Sequence, residues 1–334
     1  MMKRMLSMLL AVLMCLSLVA CGQQETTDNG SSSDATQQGG TAWPEHAIEM
    51  VIPYSAGGDT DTWGRTFVQH ISEYLGVPVT VTNMPGSSGS VGADYVRTAA
   101  NDGYTVLFAH SALLVSKIFG QVDFTYTDFA NANVLVDDDS YYLNGNPNKW
   151  PGGWEEVSAY AKEHPGEVVL GYAPGSQAHL FALMLMGATG LDFKLVDIGD
   201  QSSALVEMLA GRIDILPGSI ASLREYKETG ELVPFVSYKA ERDTNVAPDV
   251  PTWSELGYDL WGGYLYGTHF PTGTDQAIID KWNAACAYAQ EQDDVKAVYE
   301  KYAANPVMWS GADATKAWDD LWDTFMKYEE YFTW

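Results

Sequence analysis

The chain has 334 residues, with 44 Asp and Glu against 18 Lys and Arg, and a net charge of −26. So acidic a surface repels nucleic acid, whose binding needs basic patches, and nucleic acid is excluded as a partner. The three cysteines, Cys15, Cys21 and Cys286, form no cluster with histidine at zinc spacing, so neither a metal nor another cofactor is expected.

The chain opens MMKRMLSMLLAVLMCLSLVACG. Lys3 and Arg4 precede an apolar run over 5–20 that is too short, with the wrong flanks, for a stable membrane span. Residues 1–20 therefore read as an export signal. Leu18-Val19-Ala20-Cys21 matches the lipobox of bacterial lipoproteins, in which the Cys thiol is acylated and becomes the new N-terminus. An ordinary secretory signal with a chance Cys is the alternative. Loss of Lys3 and Arg4 with the signal would take the net charge to −28. Residues 22–40 carry no large apolar side chain and cannot offset their chain entropy by burial, so 21–45 reads as a flexible tether from the lipid. Cys15 leaves with the signal, Cys21 is the anchor, and Cys286 reads as a small core residue in a helical run.

About 290 residues follow, more than one α/β core usually holds, and two domains are expected. Residues 48–53 read as a strand, and Trp63, Phe67, Ile71 and Tyr74 then recur at helical spacing up to Gly76. A strand at 79–81, a helix from 87–90 onward and a strand at 104–109 complete a β-α-β-α-β unit, which requires a parallel sheet. A second module repeats the type, with strands at 168–172, 193–197, 213–216 and 233–237 separated by helical patterns. The last sixty or so residues read as helices, one with Trp318, Leu321, Trp322, Phe325 and Met326 on a packing stripe. Asp137-Asp138-Asp139 lacks the ligand order of a calcium loop and reads as a solvated turn.

In open α/β sheets ligands bind beyond the carboxyl ends of the strands, and the loops there have an unusual composition. Tyr54 to Asp61 contains Gly57, Gly58, Asp59 and Thr60; 83–90 contains Ser87, Ser88 and Ser90; His110 and Ser111 follow the third strand. The second module offers Gly175, Ser176, Gln177 and His179, then Asp197 and Asp200, then Ser219. Glycines at 57 and 58 let main-chain N–H groups approach an anion, by close contact or through positive φ, and a helix N-terminus follows. Each loop alone fits a turn with a helix cap equally well. Either Asp59 or Asp61 would serve as a cap, with the other available to a ligand. Each histidine alone is more often structural than a ligand contact. No GxSxG elbow, HExxH or P-loop is present, and an enzyme is not expected.

Five ordered motifs carry a resemblance that runs from about residue 48 to the C-terminus. They are Pro53-Tyr54-Ser55-Ala56-Gly57-Gly58-Asp59-Thr60-Asp61, Asn83-Met84-Pro85-Gly86-Ser87-Ser88-Gly89-Ser90-Val91-Gly92, Asp102-Gly103-Tyr104-Thr105, Gly175-Ser176-Gln177-Ala178-His179-Leu180, and the stretch 248–258. With these the chain resembles the tripartite tricarboxylate transporter substrate-binding proteins, the Bug family. The resemblance implies an α/β, two-lobed periplasmic-binding-protein-like fold: two doubly wound modules with a cleft between them, here 46–135 plus 240–334 and 136–239. It implies closure of the lobes on a small carboxylate held by backbone N–H groups, hydroxyls and waters, and the crossings between them are expected near 134–137 and 236–239; a zwitterionic ligand is suggested only by the departures below. The resemblance also implies a two-component membrane permease as partner, and a monomer lipid-anchored outside the cytoplasm. A subunit presenting its ligand to a membrane receptor is the rival reading.

Two departures bear on the ligand. The family's V-P-Y-K-G-G is replaced by Val196-Asp197-Ile198-Gly199-Asp200-Gln201, and a glycine often found at 59 is Asp59. Added carboxylates near the cleft disfavour a polyanion such as citrate and suit a monocarboxylate, a zwitterion or a bound cation.

Overall fold

The computed structural model describes residues 43–199, 206–219, 227–244 and 246–332, which all belong to one compact unit. The expected leader, Cys21 and Asp200 lie outside the described residues. Strand β1 (Ile48–Ile52) shows how the first layer is made. Ile48, Met50 and Ile52 join Trp63, Phe67 and Ile71 of α1 (Asp59–Leu75) in one apolar cluster. Val51 joins Ala93 and Val96 of α2 (Ser90–Arg97) in another. A strand buried on both faces belongs to a sheet covered by helices on both sides. A Cβ on Gly64 would lie 2.5 Å from Ile52 Cδ1, so this glycine is what lets α1 lie close on the strand.

β2 (Val79–Asn83) and β3 (Thr105–His110) pair parallel with β1 on either side. Three further strands extend the sheet: β4 (Phe129–Asp138), β10 (Tyr264–Pro271) and β11 (Asn305–Ser310). The order is β11-β4-β10-β3-β1-β2, and β10 runs antiparallel to β3 and β4. The second sheet contains β5 (Tyr141–Gly145), β6 (Val169–Tyr172), β7 (Lys194–Asp197), β8 (Ile215–Ser219) and β9 (Val233–Ser237), in the order β7-β6-β8-β5-β9. β6 is parallel to β7 and β8, whereas β5 is antiparallel to β8 and β9. Further helices are α3 (Ala112–Ile118), α4 (Gly153–Glu163), α5 (Gln177–Thr189), α6 (Gln276–Gln290), α7 (Asp293–Tyr302) and α8 (Gly311–Met326). Trp318, Leu321 and Phe325 of α8 are buried, and so is Cys286 of α6.

The parallel pairing expected of the first β-α-β-α-β unit is found in β1–β3, but both complete sheets are mixed. β4 ends at Asp138 and β5 begins at Tyr141, so only Asp139 and Ser140 separate a strand of one sheet from a strand of the other. The chain returns over 238–263, between β9 and β10. The crossings thus fall just beyond the expected positions, because 134–137 lies inside β4 and Val236 and Ser237 close β9. The solvated turn at Asp137-Asp138-Asp139 is corrected too. Asp138 pairs with Tyr264 of β10 and is 4% exposed. β4 lies between β10 and β11, so its end stays inside the sheet, and Ser140 donates two hydrogen bonds to one oxygen, Oδ1, of the buried carboxylate.

Candidate functional site

The loop from β1 into α1 is built around Asp61. Its carboxylate accepts from Gly57 N–H (2.8 Å), from Asn83 Nδ2 (2.8 Å) and from Arg65 Nε (2.9 Å). Asn83 Nδ2 also donates to the Tyr54 carbonyl (3.0 Å), and Arg65 donates to Asn83 Oδ1 (2.8 Å). Burial pushes the Asp61 carboxyl upward, but the bonds from Arg65, Gly57 and Asn83 outweigh it and hold it below its ordinary value. Asp61 is therefore buried as the clamp of the loop, and it is not among the residues that line the cavity described next. Gly57 is the position that needs positive φ, at +84°. Gly58 has φ −77° and caps α1 without a side-chain bond, so neither aspartate caps the helix.

A cavity of about 440 Å³ opens on this first turn of α1. From the first sheet and its loops it is lined by Tyr54, Ser55, Gly58, Asp59, Thr60, His110, Asp138, Tyr264 and Tyr266; Tyr141 and Ser219 line it from the second sheet. Free N–H groups of a helix's first turn, with the helix dipole behind them, favour an anion there. Asp59 Oδ1 accepts from the Tyr302 hydroxyl (2.9 Å). Tyr54 stacks on His110 with ring centres 4.5 Å apart, and His110 meets Tyr264 and Tyr266 edge-on at 4.9 and 5.3 Å. His110 Nδ1 accepts from the Ala112 N–H (3.1 Å), which assigns the ring proton to Nε2. Burial pushes its pKa down to about 3, so the ring is uncharged at neutral pH. Burial lifts Asp138 to about 6; Ser140 opposes the rise, and the negative charges of Asp139 and Asp59 add to it. No Lys or Arg lines the cavity among the described residues.

Six of the sequence candidates thus meet at one cavity: Tyr54, Gly58, Asp59, Thr60, His110 and Ser219. The other described candidates stand elsewhere. Gly86, Ser87, Ser88 and Gly89 take four successive positive φ values, and a Cβ on Gly89 would lie 2.9 Å from the Tyr54 hydroxyl. This second loop packs behind Tyr54, while Ser90 bonds back to the Ser87 carbonyl (2.7 Å). Ser111 and Gln177 are buried and bonded to each other (3.0 Å), and Gln177 Nε2 donates to the Gly263 carbonyl on the returning segment. They join β3, α5 and that segment. Ser176 caps α5 by accepting from His179 N–H (3.3 Å), and Gly175 N–H donates to His179 Nδ1 (3.3 Å). The His179 ring stacks on Phe119 and lies against Tyr172, and burial lowers its pKa to about 4. Asp197 is exposed at the end of β7 and accepts from Gly199 N–H (2.9 Å).

The lining residues not singled out from the sequence are Ser55, which lies inside the first candidate loop, and Asp138, Tyr141, Tyr264 and Tyr266. The signal for the last pair was present in Tyr264-Leu265-Tyr266, whose alternation puts both tyrosines on one face of a strand. Asp138 left no comparable signal, because three consecutive acids normally mark a solvated turn.

The sequence pattern of the tripartite tricarboxylate transporter family receptor, TctC, matches residues 64–323. Protein BugT of Bordetella pertussis is 29% identical over 267 residues, covering 78% of this chain and 81% of that one. A protein encoded in the gbd 5′ region of Cupriavidus necator is 28% identical over 271 residues, covering 79% and 80%. Among solved structures, MatC from Rhodopseudomonas palustris with bound malate superposes with a TM-score of 0.73 at 25% identity, covering 87% of this chain and 100% of that one. The periplasmic binding protein BugD superposes with a TM-score of 0.72 at 22% identity, covering 87% and 97%, and supports the two-lobed fold. Two sheets with a cavity between them, and a family pattern spanning most of the chain, place this protein in the tripartite tricarboxylate transporter receptors of the Bug family.

Proposed function

We propose that this chain is an extracytoplasmic substrate-binding lipoprotein that captures a small carboxylate-bearing solute and delivers it to a two-component membrane permease. The solute's carboxylate rests on main-chain N–H groups at the start of α1, with the hydroxyls of Ser55, Thr60 and Ser219 around it. The observation that carries this reading is a helix N-terminus opening on a cavity lined from both sheets, without an Arg or Lys among its described lining residues. The malate-bound MatC structure supports it, since that protein shares the family fold over 87% of this chain. Anchoring rests on Leu18-Val19-Ala20-Cys21 and the polar tether behind it. Among the described residues no helix is long and apolar enough to cross a membrane.

Titration calorimetry with a panel of small monocarboxylates and dicarboxylates tests the site. One member is expected to bind with one-to-one stoichiometry, and small-angle scattering of that complex is expected to show a smaller radius of gyration, as closure about the two crossings requires. Heat-silent titrations across the panel would overturn the reading. Cys21→Ala is expected to release the protein from membranes or to block removal of the leader.

A further inference from the structure

The cavity holds two carboxylates and no opposing side-chain charge among its described lining residues. Asp138 is 4% exposed. Its Oδ1 takes both bonds from Ser140, from the main-chain N–H and from the hydroxyl, and its Oδ2 accepts no hydrogen bond among the described residues. Asp59 is fixed through Oδ1 by the Tyr302 hydroxyl, and its Oδ2 is likewise unpaired among them. The two acids are close enough for Asp59 to raise the Asp138 pKa. A buried carboxylate with an unpaired oxygen is costly unless something bound satisfies it. The rest of the wall is aromatic. Tyr54, Tyr141, Tyr264 and Tyr266 line it together with the uncharged His110. Tyrosine rings around a cavity attract cationic nitrogen, and a desolvated carboxylate attracts it more strongly.

We propose that the ligand is a small zwitterion, its carboxylate on the first turn of α1 and its cationic nitrogen beside Asp59 and Asp138 against the tyrosine rings. This rests on the receptor reading above and narrows it. A dicarboxylate of the same length would set its second anion against the two acids. An ammonium removes that repulsion and donates hydrogen bonds to the unpaired oxygens, while a fully alkylated ammonium offsets their charge. The alternative is a divalent cation bridging the acids to a dicarboxylate, although no three metal-binding side chains come together among the described residues.

The test is calorimetry with probes matched in shape. Glycine betaine is paired with 3,3-dimethylbutanoate and 4-aminobutyrate with pentanoate, and succinate and malate are each run with and without calcium. One zwitterion is expected to bind about tenfold or more tighter than its uncharged-tail partner and than either dianion. Asp138→Asn and Asp59→Asn are each expected to cut that preference about tenfold while leaving the uncharged-tail partner equal or tighter. Asp59 is exposed, so its variant keeps the test alive if the Asp138 variant fails to fold. A dianion binding tighter than every zwitterion, with or without calcium, or a preference that survives the folded variants, overturns the zwitterion and leaves the receptor reading standing. No binding by any probe overturns both.

Discussion

Two glycine-rich loops follow β1 and β2, and both had the composition of an anion cradle. The first, 53–61, needs positive φ only at Gly57, and the Asp61 carboxylate holds that turn by accepting from its N–H. The second, 83–90, takes positive φ at four residues in a row, two of them serines. The first opens its helix N-terminus on the 440 Å³ cavity, whereas none of Ser87, Ser88 and Ser90 lines that cavity. The second loop instead gives Asn83 to the Asp61 network and backs the Tyr54 ring with Gly89. Composition marks a loop that lets the backbone come close to something. Whether that something is a ligand or a neighbouring side chain is decided by which residue sits across from the glycine.

The largest expected effect breaks the shared network. Asp61→Ala leaves Gly57 N–H and Arg65 Nε without their acceptor and takes one of two acceptors from Asn83 Nδ2. Losing a charged, buried acceptor with three donors should cost about 3 kcal/mol, read as a lower urea midpoint at constant slope. The pH dependence has a definite sign. The folded carboxyl is held below its ordinary 3.8, so its contribution is present above that value and is lost as the medium is acidified through it. The variant should therefore lose stability less steeply than the wild type below about pH 4. A cost under about 1 kcal/mol would mean that something other than Asp61 holds the loop.

Two glycine variants then set one loop against the other. Gly89→Val places a side chain at φ +94° and against the Tyr54 hydroxyl. A loss of about 2 kcal/mol is expected, with ligand affinity falling as Tyr54 is displaced. Gly58→Val meets no such strain, because φ is −77° and the new Cβ would lie 3.5 Å from the Ser55 carbonyl. Here stability should hold within about 0.5 kcal/mol while affinity for the tightest carboxylate of the panel drops about tenfold, ~1.4 kcal/mol. The two substitutions look alike in the sequence, yet one should act through folding and the other through binding. Equal stability losses in both would erase the distinction.

Much of this was legible before the structure. The parallel β1–β3 core, α1 ending at Gly76 and the buried stripe on α8 follow from periodicities of two and 3.6, which are local properties of the chain. The antiparallel strands were not legible. β4 and β10 are each paired by partners more than a hundred residues away, and no local signal encodes that pairing. The site divides in the same way. Tyr54 and Gly58 sit on a βα loop and Asp59 and Thr60 on the first turn of the helix after it, where fold topology alone places ligands. Asp138 and Tyr264 reach the cavity because β4 and β10 are neighbours in the sheet, a fact held by the topology and not by either segment. Asp61 and Asn83 stand in separate motifs, and their shared task is visible only once the two loops lie side by side.

The smallest expected effect is the sharpest check on the contrast between the loops. Ser88 sits at φ 55°, ψ 31°, the left-handed region, where a non-glycine residue costs about 1 kcal/mol. Ser88→Gly removes that strain but gives the unfolded chain more freedom to lose, a penalty of about the same size. The net change in stability should lie within about 0.5 kcal/mol of zero. Its hydroxyl does not line the cavity, so affinity for the same carboxylate should stay within about twofold, under ~0.4 kcal/mol. Thr60→Ala is the matched control from the first loop. It removes the hydroxyl of a residue that does line the cavity, and affinity should fall about threefold to tenfold, the worth of one hydrogen bond. If Ser88→Gly weakened binding as much as Thr60→Ala at unchanged stability, the second loop would reach the ligand in the closed state, and the two loops would be partners in one cradle.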